Sequence, residues 1–145
     1  MKITNKKAYF NYQITETFEA GINLYGAEVK SVRLGKADLT GSFIKIIGGE
    51  AYLVNAKIFP YQNALIENYD QNRTRKLLLH KKEIISLKSK MDGANLSLIP
   101  ISLYLKNGFI KAEIGLGKGK KQYEKRESIK KKDIQRDLER ELSWS

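Results

Sequence analysis

The chain has no cysteine, one histidine, one tryptophan and two prolines in 145 residues. Without cysteine there are no disulfides, no thiolate zinc sites and no cysteine nucleophile, and a reducing compartment is the natural setting. His80 alone cannot build a Cys/His metal site. Acidic residues are scarce too: 16 Asp plus Glu stand against 27 Lys plus Arg, a formal net charge of +11. Residues 1–10 (MKITNKKAYF) lack the apolar stretch of a signal peptide, and no run nears the roughly 18 apolar residues of a membrane span. What is present is a 41% apolar fraction in a chain of one-domain length, enough for a core without covalent staples. The expectation is a soluble, cytoplasmic, basic protein whose partner is a polyanion.

The positive charge is not spread evenly. Residues 118–132 hold eight basic and two acidic side chains, a surplus of +6. A second cluster comprises Arg73, Arg75, Lys76, Lys81 and Lys82, and a third comprises Lys2, Lys6 and Lys7. Clusters with so few compensating acids are the pattern of phosphate binding.

From Ala8 to Leu24 apolar residues alternate with polar ones, the pattern of a half-buried strand, and Glu16 breaks the apolar row as a bulge or bend does. Residues 26–34 lose the alternation and end at Gly35, which predicts a short helix with a glycine stop. Strands follow at Thr40–Ile47 and Ala51–Ile58, joined by Gly48-Gly49, a pair suited to a tight hairpin. Residues 60–74 read as an exposed loop. A helix over Lys81–Met91 carries Ile84, Leu87 and Met91 and is expected to stop at Asp92-Gly93. The strand Leu96–Lys106 changes apolar phase at Pro100, which predicts a bulge there, and Asn107-Gly108 leads into a last strand ending near Leu116. The body is therefore mainly β, antiparallel, with one or two inserted helices, and closure into a small barrel would remove exposed edges. Residues 117–145 form a basic tail with a thin stripe at Ile134, Leu138 and Leu142, read as disordered when free and helical when docked.

Catalytic constellations are scarce. His80 sits among lysines with no acidic partner in sequence, which suits a surface or RNA contact better than a general base. The run Gly115 to Lys120 superficially resembles a phosphate loop but lacks the Gly-Lys-Ser/Thr ending; its glycines are expected to end the strand and release the tail. Glu28 and Lys30 have the Glu-x-Lys form of metal-dependent nucleases, with Glu16 or Glu19 available as a second carboxylate. Against that reading, positions i and i+2 of a helix face different ways. Tyr12, Tyr52 and Tyr104 fall on strands and read as core. Tyr123, among Lys120, Lys121, Lys125 and Arg126, reads as a base-stacking residue.

Several stretches together resemble one family closely, the SsrA-binding proteins of bacterial trans-translation (SmpB). They are residues 5–8 (NKKA), 16–21 (ETFEAG), 26–31 (GAEVKS), 33–37 (RLGKA), 74–80 (TRKLLLH) and 117–126 (GKGKKQYEKR), in colinear order. Lys7 and Ala27 stand where the family has Arg and often Thr, and Glu124 replaces the usual Asp before Lys125 and Arg126. The resemblance implies an OB-fold-like barrel over residues 1–116 with a C-terminal tail over 117–145. It implies a non-enzymatic adaptor, acting as a monomer without cofactor, metal or membrane. That adaptor binds the tRNA-like domain of transfer-messenger RNA and delivers it to ribosomes stalled without a stop codon. By position, Tyr12 and Glu19 match residues implicated in transfer-messenger RNA binding, with Asn5, Lys6, Lys7, Arg75 and Lys76 as neighbours on that surface. Lys118, Lys120, Lys121, Tyr123, Glu124, Lys125 and Arg126 match the segment that meets small-subunit ribosomal RNA near the decoding site, the tail probing the empty mRNA channel. Glu19, an acid on a phosphate-binding surface, is expected to serve specificity by accepting from a base or a 2′-OH.

Overall fold

The computed structural model describes residues 2–62, 67–121, 123–127 and 129. Nine strands and three helices are arranged as β1 (Lys2–Thr4), α1 (Ala8–Asn11), β2 (Tyr12–Ile22), α2 (Gly26–Arg33), β3 (Ala37–Asp38), β4 (Phe43–Ile47), β5 (Glu50–Val54), β6 (Lys57–Ile58), β7 (Arg75–Leu78), α3 (Lys81–Ala94), β8 (Ser97–Lys106) and β9 (Phe109–Gly119) among the described residues. Seven strands make one antiparallel sheet in the order β1-β8-β9-β2-β7-β5-β4, and β3 pairs with β6 in a small second sheet. No helix among the described residues is long and apolar enough to cross a membrane.

The mainly β expectation holds, but the sheet is open rather than a closed barrel. The reason lies on the free edge of β8. Pro100 has no N–H to offer a closing strand, and its carbonyl accepts from Asn5 Nδ2 at 2.9 Å. The next carbonyl, that of Ile101, accepts from the Asn5 N–H at 2.7 Å. Asn5 thus occupies the place where a closing strand would bond, and a hollow separates the Thr40–Phe43 entry to β4 from Leu98–Pro100.

Two bulges divide the interior. Between Ile14 and Glu16 the β2–β9 register slips by one, and between Pro100 and Ser102 the β8–β9 register does the same. A one-residue slip sends the following side chains to the opposite face. Accordingly Phe18, Ala20 and Ile22 join the main core, whereas Tyr12 and Ile14 pack with Ala8, Ile99 and Ile101 in a second, smaller one. Both slips fall where the sequence predicts them.

Several boundaries differ from expectation. Residues 8–11 form a helical turn instead of continuing the strand, because Ala8 tucks its small side chain into the second core. α3 runs through Asp92-Gly93 and ends on Asn95, which takes the left-handed conformation at φ 53° and bonds back to the Met91 carbonyl. Arg75–Leu78 is a central strand that charge-based reading hides. β9 continues past Leu116 to Gly119, with Gln13 opposite Lys118 and Tyr12 opposite Gly119. Residues 117–119 therefore belong to the sheet, and most of the expected tail, 130–145, lies outside the described residues.

That last strand explains its own glycines. A Cβ on Gly115 would meet Ile101 Cδ1 at 2.8 Å and Ile14 Cγ2 at 3.0 Å, and one on Gly117 would meet the Gln13 carbonyl oxygen at 2.6 Å. Gly115 clears space for the second core and Gly117 for the backbone of β2, so neither forms a phosphate loop or stops the strand, which runs on to Gly119. Gly117→Ala is expected to destabilise the protein by about 1–3 kcal/mol through overpacking. Gly119→Ala, with nothing within 4 Å of the added carbon, should stay within about 0.5 kcal/mol. Urea unfolding midpoints check both.

Candidate nucleic-acid interface

The most strongly built polar cluster lies inside the protein. Glu28, in the first turn of α2, is 1% exposed and receives Arg73 and Arg75. Arg75 Nε donates to Glu28 Oε2 at 2.8 Å, and Arg73 donates from Nε to the same oxygen at 3.2 Å and from Nη2 to Oε1. The Tyr25 N–H donates to Oε1 at 2.9 Å, so the carboxylate also caps its own helix. Tyr69 Oη lies 2.9 Å from both Glu28 Oε2 and the Ile58 carbonyl and can donate to either. It accepts from Arg75 Nη2 at 3.2 Å. Outside the cluster proper, the Arg73 guanidinium lies over the Tyr25 ring at 4.0 Å.

Glu28 therefore cannot serve a nuclease site. Both of its oxygens are committed to guanidiniums, and Lys30 leaves in another direction, over the Tyr61 ring at 5.5 Å. Among the described residues no His/Asp/Glu group has a metal-holding arrangement. Burial pushes the Glu28 carboxyl up, but bonds from Arg73, the Tyr25 N–H and Arg75 outweigh it and hold the pKa below the ordinary 4.5.

Arg75 is likewise no surface residue: it is fully buried and cannot touch RNA directly. Asn5 is buried as well, its amide spent on the β8 edge. The other expected contacts are at the surface. Lys6 and Lys7 are exposed, and Tyr12 is half-buried against the second core. Lys76 points outward from β7, 3.4 Å from Glu50. His80 is exposed and opens α3.

Glu19 lies on the solvent face of β2. Its Oε2 accepts from the Tyr104 hydroxyl and from Lys106 Nζ at 3.3 Å. The Tyr104 bond, outweighing residual desolvation, and then Lys106 draw the Glu19 pKa down. In turn Tyr104, through burial and then the Glu19 bond, is pushed up to about 12. Both groups thus keep fixed protonation states at neutral pH, a carboxylate accepting from a phenol. Sequence reading takes Tyr104 for core, although it alternates with Leu103 and Leu105 and shares its parity with Ser102 and Lys106; the register sets it between Lys111 and Lys2.

The basic segments at the two ends of the described chain meet. The Lys7 carbonyl accepts from the Asn11 N–H at 2.9 Å, and the Asn11 carbonyl accepts from the Lys120 N–H at 2.8 Å. Lys6, Lys7, Lys118, Lys120 and Lys121 therefore flank one edge, at α1 and the end of β9. Beyond it the chain turns helical over 123–127, where the Lys121 carbonyl accepts from the Glu124 and Lys125 N–H groups. Tyr123 is exposed, and its hydrogen bond with Glu124 raises its pKa.

Fold and surface together define a class: a small basic protein built on an antiparallel sheet, with one cluster of lysines at α1 and the end of β9 and with its buried charges used up internally. The comparisons narrow this further. The family model described as SmpB protein matches residues 2–144. An SsrA-binding protein of Persephonella marina is 53% identical over 93% of this chain and 89% of its own length. One from Bacillus pumilus is 53% identical over 94% and 87%, and one from Geotalea uraniireducens 54% over 92% and 89%. A solved chain described in the words "tmRNA-SmpB: a journey to the center of the bacterial ribosome" superposes with a TM-score of 0.69 at 42% identity, covering 88% of this chain and 94% of that one. The chain belongs to the SmpB family.

Glu28→Gln is expected to cost about 3–5 kcal/mol, because two guanidiniums lose their buried counter-charge. Since the folded pKa lies below 4.5, the stabilisation from Glu28 is complete above that pH and is lost as pH falls through the folded value. Denaturant midpoints measured from pH 7 down to pH 3 should fall steeply in the native protein and less steeply in the Gln variant.

Proposed function

We propose that this chain is an RNA-binding adaptor that holds the tRNA-like domain of transfer-messenger RNA and carries it to stalled ribosomes for trans-translation. The observation that carries this reading is family membership across residues 2–144, supported by a solved relative whose description joins tmRNA and SmpB. The surface is consistent with it. Lys6, Lys7 and Tyr12 lie beside Lys118 and Lys120 on one edge, and Glu19 on the sheet face is held ionised for a donor on a base or ribose.

On this reading Asn5 and Arg75 act by shaping the surface, while Lys6, Lys7, Tyr12, Glu19 and Lys76 touch transfer-messenger RNA. Lys118, Lys120, Lys121, Tyr123, Glu124, Lys125 and Arg126 lead toward small-subunit RNA near the decoding site, followed by a tail that becomes helical in the mRNA channel. The protein works in the cytoplasm as a monomer and performs no catalysis, the RNA and the ribosome supplying all the chemistry.

Filter binding of a tRNA-like transcript at several salt concentrations tests the reading. Affinity should fall by about 0.9 log units per log unit of salt for each duplex phosphate neutralised. A flat response, or equal affinity for mixed-sequence DNA, would overturn it. Glu19→Ala should reduce the preference for the tRNA-like RNA by about tenfold, the scale of one charge-assisted hydrogen bond. Removal of residues 122–145 should leave RNA binding intact and abolish peptide tagging on stalled ribosomes.

A further inference from the structure

The solvent face of the large sheet carries a repeated cross-strand arrangement. Register places Lys45 opposite Tyr52 and Tyr52 opposite Lys76, on β4, β5 and β7. It also places Lys111 opposite Tyr104 and Tyr104 opposite Lys2, on β9, β8 and β1. Each tyrosine is thus flanked by a lysine on either neighbouring strand. Between the two rows, Leu78 lies beside Gly21, where an added Cβ would press on the Leu78 Cβ at 3.2 Å.

Two features separate this face from an ordinary solvated one. Large apolar groups remain in water there: Phe43 is 48% exposed, Ile47 and Leu78 are each 54% exposed, and Phe109 is 68% exposed. The three acids of the face are each matched by a lysine: Glu50 by Lys76 at 3.4 Å, Glu19 by Lys106 at 3.3 Å and Glu113 by Lys2 at 3.7 Å. Lys45 and Lys111 make no such ion pair among the described residues, so the net field is positive over an apolar, aromatic floor. Flat rings between ammonium groups suit unpaired nucleotides, whose bases stack while their phosphates meet the lysines.

We propose that the Lys45–Tyr52–Lys76 row is an RNA contact of its own, separate from Glu19. The base of an unpaired nucleotide stacks on Tyr52, and the adjoining phosphate sits against Lys45. Lys76, already leaning on Glu50, frames the other side. This rests on the reading of the protein as an adaptor for a tRNA-like RNA and extends the contact to the β4–β5 end of the sheet, where the family resemblance places no residue.

The full-length protein and a transcript of the tRNA-like domain serve as reagents. Tyr52→Leu keeps apolar packing but removes the stacking ring, and it should weaken binding about tenfold; Tyr52→Phe, which keeps the ring, should bind as the native protein does. Lys45→Ala, an exposed substitution, should lower the salt slope by about 0.7, the increment for one single-strand phosphate. Chemical footprinting should show one unpaired nucleotide losing protection in Tyr52→Leu while retaining it in Glu19→Ala. If Tyr52→Leu and Lys45→Ala both bind with native affinity and slope while Glu19→Ala is impaired, the inference fails and the adaptor reading stands. Failure of the native protein to bind the transcript selectively would instead remove the adaptor reading itself. Circular dichroism confirms that the Leu variant is folded, and Lys45→Ala decides the matter should it not be.

Discussion

The arrangement of this protein depends on one buried carboxylate. Glu28 ties α2 to the polypeptide that crosses from β6 to β7, and Arg75 extends the tie with all five of its N–H donors. Nε serves Glu28, Nη1 serves the Ala56 and Arg73 carbonyls, and Nη2 serves Tyr69 and the Gln71 carbonyl. A guanidinium so saturated is a scaffold element, since any vacancy would leave a buried charge without its hydrogen bond. The backbone carbonyls of Ala56, Gln71 and Arg73, none of them in a strand or helix, are fixed this way. The same strand that buries Arg75 turns Lys76 and Leu78 to the opposite face. Alternation along β7 thereby links the internal ion cluster to the outer surface.

A comparable economy governs the other end of the sheet. The bulge in β2 lets that strand serve the smaller core with its first half and the main core with its second, whereas β8 feeds both at once, Leu98 and Leu103 into the main core and Ile99 and Ile101 into the smaller, and β9 carries Gly115 where the smaller core presses closest. Ile14 and Ile101 approach the backbone of β9 at a distance no side chain would permit. The small core in turn holds α1, and the turn leading into α1 carries Lys6 and Lys7. Surface charge at Lys6 and Lys7 is consequently positioned by Ala8, Ile99 and Ile101 beneath it.

Much of this was legible in the sequence. Glu16 interrupting an apolar row and the phase change at Pro100 located both bulges, and Gly35, Gly48-Gly49 and Asn107-Gly108 located turns that do adopt positive φ. Other parts were hidden for physical reasons. Ala8 and Phe10 fit a period of two as readily as a helical turn, so the junction at Asn11 left no trace in the pattern. Arg75 and Glu28 are charged, and charge usually marks a surface; only their pairing over a separation of 47 residues makes them interior. Of the expected RNA contacts, Asn5 and Arg75 prove to be buried, because residue type alone does not say whether a polar group faces water or another polar group.

The distribution of charge follows from these placements. Sequence reading divides the surplus between a body and a tail at Gly117, but the ladder continues to Gly119 and the Lys120 N–H is bonded to Asn11. The first lysines of the supposed tail are therefore part of the same rigid edge as Lys6 and Lys7. Phosphates held at that edge lie next to the point where the chain leaves the sheet and turns helical at 123–127. A bound RNA and the segment beyond Lys121 must then share one field. An anion at that edge would lower the repulsion that Lys125 and Arg126 experience from it, to the extent that they lie within a Debye length of about 8 Å at physiological ionic strength. An anion bound at the edge would therefore change the electrostatic setting of residues 123–127, which follow it directly.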